Sequence, residues 1–362
     1  MLLAGEASGD RYAGALAREI KALEPAAQLE GVGSTWLRQQ DVRLIADSTS
    51  WGAIGALHAA SKVPRVLRAV SGIRRAMAAG KPGLFIPIDF GFVNVRMARW
   101  AKARGWRVLY FVPPGSWRRD RQGSALPEIA DAVSTPFPWS AEMLQSAGVP
   151  AHWFGHPLKQ LIAESGSAQV RGNGLAVLPG SRAHEIKTLL PVLAQALGDA
   201  PPIEFALAPS VDRDRFARDW AARCPHRAQD LFIVGDSYGV LGRARAAVVC
   251  SGTATLEAAL CGCPMVVVYR LPRLTEWEAA LLRLPRPKFV ALPNILLDRA
   301  VVPELLQEAL TPDSVLRALR PLMAESPERA AQLGAFREID DVTGPSDAIS
   351  RTAALACEIA IP

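Results

Sequence analysis

Residues 246–269 read AAVVCSGTATLEAALCGCPMVVVY. An apolar run, Ala246–Cys250, stops at Ser251-Gly252-Thr253; a helix-like stretch follows to Gly262, and a second apolar run, Met265–Tyr269, resumes. Strand, turn, helix and strand within so few residues make the unit of a parallel α/β layer. At such a turn the first N–H groups of the helix and the positive end of its dipole converge, where a phosphate can sit. Gly252 removes the Cβ that would keep a ligand off the backbone. Glu257 falls about one turn into the helix, within reach of ribose hydroxyls if the helix starts near Thr253. The same spacing also suits an ordinary strand–turn–helix with a solvated Glu257.

A second unit of this kind precedes it. In GLAVLPGSRAHEIKTLLPVL, residues 174–193, the run Leu175–Leu178 ends in Pro179-Gly180-Ser181-Arg182, and a helix carrying Ile186, Leu189 and Leu190 follows. A guanidinium at a strand's carboxyl end matches two diphosphate oxygens with its planar fork, although a surface salt bridge accounts for Arg182 equally well. Further strands are expected at Ile203–Ala208 and Leu231–Val234. In the first half they are expected at Leu2–Ala4, Leu84–Ile88 and Val108–Val112, with a helix around Tyr12–Leu23. Gly5-Glu6-Ala7-Ser8-Gly9-Asp10 joins the first strand to that helix. It lacks the G-x-G-x-x-G spacing of a dinucleotide loop, and helix capping by Ser8 or Asp10 explains it without a ligand.

The fold class expected is therefore α/β, with two Rossmann-like domains. They are placed at residues 1–165 and 166–335, with a linker in Ala163–Asn173 and a C-terminal helix over 336–362 that packs back on the first domain. No charge-free apolar stretch is long enough to span a bilayer, and no secretory leader is expected. The five cysteines, Cys224, Cys250, Cys261, Cys263 and Cys357, read as reduced and mostly buried, as in a cytoplasmic protein. Cys261-x-Cys263 lacks a second ligand pair for zinc. Asp212-Arg213-Asp214 reads as a salt-bridged helix start in preference to a divalent-ion site. No metal and no cofactor are expected.

The net charge of +6 is unevenly spread: from Lys62 to Arg121 only Asp89 and Asp120 are acidic. This is either a solvated arginine-rich face or a surface for anionic lipid. No helix-turn-helix or aromatic platform accompanies it, so nucleic acid is not expected as a partner. Within the stretch, Ser61 is expected to cap a helix with Pro64 in its first turn. Val66, Val70, Ile73 and Met77 share one face and Arg65, Arg68 and Arg75 lie elsewhere, a pattern that fits either a membrane interface or packing on a sheet. Late in the chain, Pro303-Glu304 is expected to open a helix.

Taken in order, GEASGD (5–10), FGHPL (154–158), LPGSR (178–182), SGTATLE (251–257), PMVVVYR (264–270), LPN (292–294) and PELLQ (303–307) resemble the lipid-A-disaccharide synthases over most of the chain. The resemblance implies a GT-B fold of two facing Rossmann-like domains. It also implies inverting transfer of 2,3-diacylglucosamine from UDP to 2,3-diacylglucosamine 1-phosphate, giving the β-1′,6-linked disaccharide and UDP. By analogy Arg182, Ser251, Gly252, Thr253, Glu257, Asn294 and Gln307 hold the UDP, with Ser8, Gly9, Gly180 and Ser181 also expected on the donor, and Arg182 is expected to act in catalysis by stabilising the departing diphosphate. An anionic membrane surface, met peripherally on the cytoplasmic side of a Gram-negative inner membrane, is the second expected partner; a homo-oligomer is left open.

The chain departs from the family where a base is expected. The D-x-P-D-F-N signature reads Asp89-Phe90-Gly91-Phe92-Val93-Asn94, with Phe92 in place of the second carboxylate. A family glutamate is Gly55 here, and P-F-E is Pro136-Phe137-Pro138. Asp89 is the expected proton acceptor, with Glu6 and Asp10 as alternatives. A GT-B enzyme with another UDP-sugar or acceptor, and a UDP-sugar-binding paralogue without turnover, are the competing readings.

Overall fold

The computed structural model describes residues 1–49, 51, 56–166, 171–271 and 287–360, with side chains of 56–63 excepted. Gly55, the middle of the expected linker and Lys62's side chain lie outside the described residues. The chain divides into two compact units, residues 1–161 with 342–362, and residues 162–341.

The first unit holds seven strands, β1 (Leu2–Ala4), β2 (Glu30–Gly33), β3 (Arg43–Asp47), β4 (Leu84–Ile88), β5 (Arg107–Phe111), β6 (Ala132–Ser134) and β7 (Ala151–His152). They pair in the order β3-β2-β1-β4-β5-β6-β7, every pair parallel. The second unit holds β8 (Leu175–Leu178), β9 (Ile203–Leu207), β10 (Leu231–Val234), β11 (Ala246–Cys250), β12 (Met265–Tyr269) and β13 (Glu304–Leu306), ordered β10-β9-β8-β11-β12-β13, again all parallel. In each sheet the strand order reverses once, between β1 and β4 and between β8 and β11. Doubly wound sheets bind ligands in the crevice at that switch point, beyond the carboxyl ends of the strands.

The central strands read as unbroken apolar runs because helices cover both faces. In the first unit Leu3, Phe85, Val108 and Tyr110 pack with Ile73, Met77 and Met97. In the second, Val177, Phe205, Val248 and Val266 meet Leu189, Leu193 and Trp220. Phe205 sits edge-on to Trp220, centroids 4.7 Å apart. Each such side chain withdrawn from water contributes about 1.5–3 kcal/mol. Beneath this cluster the buried Arg227–Asp230 pair at 2.7 Å is fully hydrogen-bonded, the guanidinium to the carbonyls of Gly198, Ala200 and Pro201 and the carboxylate from Trp220 Nε1 and Ile203 N.

The helix Ala348–Ala360 packs on the helix Ala7–Leu23, both in the first unit. Gln160 Oε1 accepts from Ile349 N and Ser350 N, satisfying two N–H groups at the later helix's start. Ser350 Oγ donates to Glu19, and Ser134 and Thr352 share a hydrogen bond of 2.7 Å.

Three local expectations are corrected. The basic helix spans Ala56–Ala79 with Pro64 inside it, because the helix-forming residues ahead of Ser61 extend it by more than a turn. Ile73 and Met77 are buried and Val66 and Val70 partly so, all against the first core, while Arg65, Arg68 and Arg75 are exposed; the stripe packs on the sheet. Glu6, not Ser8 or Asp10, is the N-cap of Ala7–Leu23, and no side chain bonds there. Pro303 precedes the edge strand β13 instead of a helix: an edge position tolerates its missing N–H, and its carbonyl accepts from Val267 N. Asp212, by contrast, does cap a helix, accepting from Arg215 N, with Arg213 paired to Asp214.

Candidate functional site

At the switch point of the second sheet, Leu178 of β8 lies opposite Val249 of β11, so the loops after these strands are neighbours. Gly252, N-cap of the helix Thr253–Leu260, has φ 139°, a conformation that L side chains rarely adopt, and among the described residues nothing beyond its chain neighbours lies within 4 Å of where a Cβ would be. Backbone conformation rather than crowding therefore demands glycine here. Ser251 Oγ donates to Val290 O, and Thr255 Oγ1 donates to Gly252 O and accepts from Leu292 N, so both hydroxyls tie residues 290–292 to the loop. Glu257 is half-buried and accepts from Ser237 Oγ at 2.9 Å.

The Pro179–Arg182 loop is organised by a residue the sequence reading did not single out, Glu185. Its buried carboxylate accepts from Ser181 N at 3.0 Å and Arg182 N at 3.1 Å, and pairs with Arg182 Nη1 at 2.9 Å. The Glu185 carboxylate thus occupies the loop N–H groups of Ser181 and Arg182 and holds one edge of the Arg182 guanidinium. Gly180, at φ 102°, makes room for that carboxylate, which a Cβ would strike. The signal was present as Arg182-Ala-His-Glu185, the spacing of a capping box. Burial and the Glu185 charge push the Tyr269 phenol up to about 12 and raise the Cys250 thiol as well.

Asn294 and Gln307 do different work. The Asn294 side chain is fully engaged: Nδ2 donates to Val302 O and Glu304 Oε1, and Oδ1 accepts from Val301 N and Val302 N. Glu304 also accepts from Val290 N and Ala291 N. These bonds commit the Asn294 side chain to the scaffold. Gln307, at φ 50°, accepts from Leu271 N through Oε1, and Arg270 donates to its carbonyl.

In the first unit Ala4 of β1 pairs with Ile88 of β4, bringing Gly5-Glu6 beside Asp89. Burial, then the Glu6 carboxylate, raise the Asp89 carboxyl to about 6. Asp89 and Phe90 are consecutive left-handed residues, φ 50° and 46°, and the Phe90 ring lies where a Gly5 side chain would have to be. Ser8 and Gly9 belong to the first helical turn, Gly9 in ordinary contact with β4. Asp10 is wholly buried and accepts from Ser34 N, Ser34 Oγ and Trp36 N at 2.6–2.9 Å, anchoring the loop after β2. Both Asp10 oxygens are thus engaged within the fold. Phe92 is 72% exposed, with the Arg96 guanidinium 4.0 Å over its ring. Among the described residues no cluster of three His, Cys, Asp or Glu could hold a metal ion.

Two doubly wound sheets with glycine-bearing loops at their switch points define the class, a GT-B type α/β protein. Solved structures share this fold over nearly the whole chain. UDP-GlcNAc 2-epimerase from Neisseria meningitidis, bound to UDP-GlcNAc, superimposes with TM-score 0.62 at 11% identity, covering 99% of each chain. MurG of Acinetobacter baumannii gives 0.56 at 17% identity, covering 99% of this chain and 98% of that one. The pattern of the Lipid-A-disaccharide synthetase family matches residues 1–356. The lipid-A-disaccharide synthase of Myxococcus xanthus is 32% identical over 379 residues, covering 100% of this chain and 97% of the relative. That of Anaeromyxobacter sp. strain K is 33% identical over 370 residues, covering 98% and 95%. The chain belongs to the lipid-A-disaccharide synthase family, and so to the glycosyltransferases.

Proposed function

We propose that the chain joins UDP-2,3-diacylglucosamine to 2,3-diacylglucosamine 1-phosphate. The acceptor 6-hydroxyl attacks the anomeric carbon, its proton passes to Asp89, and the bond to the diphosphate breaks to release UDP with inversion. The observation that carries this reading is Asp89 itself, a carboxyl at the carboxyl end of β4 whose pKa of about 6 suits proton transfer near neutrality. Glu6 acts beside it by raising that pKa. Arg182, oriented by Glu185, offsets the charge developing on the diphosphate, a contribution of about 3–4 kcal/mol for one well-placed group. Ser251, Gly252, Thr253, Glu257 and Gln307 complete the UDP site, Gly180 and Ser181 shape it, and Ser8 and Gly9 are kept as donor-side residues.

Both substrates are amphiphiles, and we infer peripheral association with an anionic membrane. The exposed Arg65, Arg68, Arg74 and Arg75, together with the exposed Leu67, Phe92 and Trp117, support it. Among the described residues no helix is long and apolar enough to cross a bilayer.

Mass spectrometry of products after incubating the protein with the two diacylated sugars tests the reaction. A disaccharide 1-phosphate with stoichiometric UDP is expected. UDP release with other acceptors alone would favour a different glycosyl transfer, and tight UDP binding without product would mark a non-catalytic paralogue.

A further inference from the structure

We propose that Tyr110 is a positioning residue for the transfer: its phenolic O–H, with the Asn94 carboxamide, holds the main-chain carbonyl of Asp89 and thereby fixes where the Asp89 carboxylate points. The inference rests on the reading of Asp89 as the base.

Four observations converge on that one carbonyl. Tyr110 Oη donates to it at 2.9 Å, and Asn94 Nδ2 donates to it at 2.8 Å. Asn94 Nδ2 also lies 3.1 Å from Ile88 O and 3.3 Å from Leu3 O, so the carboxamide nitrogen is shared among the ends of β1 and β4. Asp89 and the following Phe90 both stand in the left-handed region, which non-glycine residues avoid and which a pair in succession needs external support to hold. Finally, Asn94 Oδ1 is buried with no hydrogen-bond partner among the described residues. A desolvated acceptor is unfavourable, and turning the amide over to relieve it would set an oxygen against three carbonyls. The fold therefore retains two strained residues and an orphaned acceptor in order to keep one turn in one shape.

Tyr110 suits this work. The ring is fully buried in β5, so it cannot swing, and burial together with the Asp89 charge raises its phenol above the ordinary range, so it remains a donor at any working pH. The Asp89 N–H is bound in turn to Phe111 O. β5 thus grips the peptide units on both sides of Asp89, through the Tyr110 hydroxyl and the Phe111 carbonyl. What remains to Asp89 is its side chain, set beside Glu6 and partly open to solvent.

Tyr110→Phe removes only the hydroxyl and keeps the ring. It is compared with the wild type, Asp89→Asn and the double variant by UDP release with both diacylated sugars, alongside thermal unfolding. A catalytic group displaced by about 1 Å can cost on the order of 100-fold in rate. The expected result is a roughly 10- to 100-fold lower kcat with KM for the donor within about 2-fold, and less than about 2-fold further loss when Tyr110→Phe is added to Asp89→Asn. Wild-type kcat in Tyr110→Phe beside a crippled Asp89→Asn overturns the positioning role alone. Equal losses in both backgrounds also overturn it, because the effect would then not pass through Asp89. Near-wild-type turnover in Asp89→Asn instead removes the base reading, whatever Tyr110→Phe does. Should Tyr110→Phe not fold, Asn94→Ser in the same two backgrounds carries the same comparison.

Discussion

Asp89 is where burial, charge and backbone strain meet, and its titration has two readable consequences. The proposed base must be ionised, so kcat/KM is expected to rise with pH through about 6 and then level. In Asp89→Asn that limb disappears and kcat falls by about 10²–10⁴, the usual worth of a general base; a pH–rate profile of both proteins checks this. Stability moves the other way. The folded-state pKa lies above the ordinary value of 3.8, so the folded chain holds this proton more tightly than the unfolded one. Stability is lost as pH climbs from about 4 to about 6, by at most roughly 3 kcal/mol, and Asp89→Asn flattens that slope. Asp89 was visible in the sequence as a carboxylate at a strand's end. Tyr110 was not, because an aromatic inside an apolar strand carries no mark of what its hydroxyl touches. The structural partners of Asp10 were hidden for another reason: its neighbours in sequence suggest a loop for ligands, and Ser34 and Trp36 lie more than twenty residues away.

At the scale of elements, Asn294 and Glu304 knit the helix Leu292–Leu297 to the start of β13. Asn294→Ala strips partners from Val301 N, Val302 N and the Glu304 carboxylate at once. Each buried group left unpaired costs about 1–3 kcal/mol. A fall in Tm of roughly 5–15 °C is expected by differential scanning calorimetry, and UDP affinity in the variant that remains folded should hold within about 3-fold. A large affinity loss at unchanged Tm would instead place Asn294 among the donor contacts. Strands β1, β4, β5, β8, β9, β10, β11 and β12 could be read from sequence as apolar runs, most of them because central parallel strands are apolar on both faces. The strands not anticipated, β2, β3, β6, β7 and β13, are short, lie outside the centre of their sheets or carry Glu, Arg, Ser and Gly, and gain their strand character from the neighbour they pair with. The anion loop shows the same limit. Its location after β8 was legible, but which anion fills its N–H groups depends on Glu185 folding back by one helical turn.

Over the whole molecule the charge pattern bears on where the protein works. Part of the basic stretch is neutralised locally, Arg99 by Glu128, Lys102 by Asp131 and Arg118 by Asp120, while the exposed Arg65, Arg68, Arg74 and Arg75 of the helix Ala56–Ala79 form no ion pair among the described residues. Binding to anionic vesicles is expected to weaken about 10-fold or more between 0.05 and 0.5 M salt, as screening shortens the reach of each charge; sedimentation with vesicles measures it, and equal binding at both ends would remove the electrostatic contribution. The helix Ala348–Ala360, which completes the first unit from the far end of the chain, has a consequence for synthesis. Residues 162–341 form a continuous stretch and can close as they leave the ribosome, whereas the earlier unit lacks a wall until residues 342–362 have emerged. A message truncated after codon 341 should therefore yield a protease-resistant second unit attached to a first unit that digests rapidly, and supplying residues 342–362 as a separate peptide should slow that digestion.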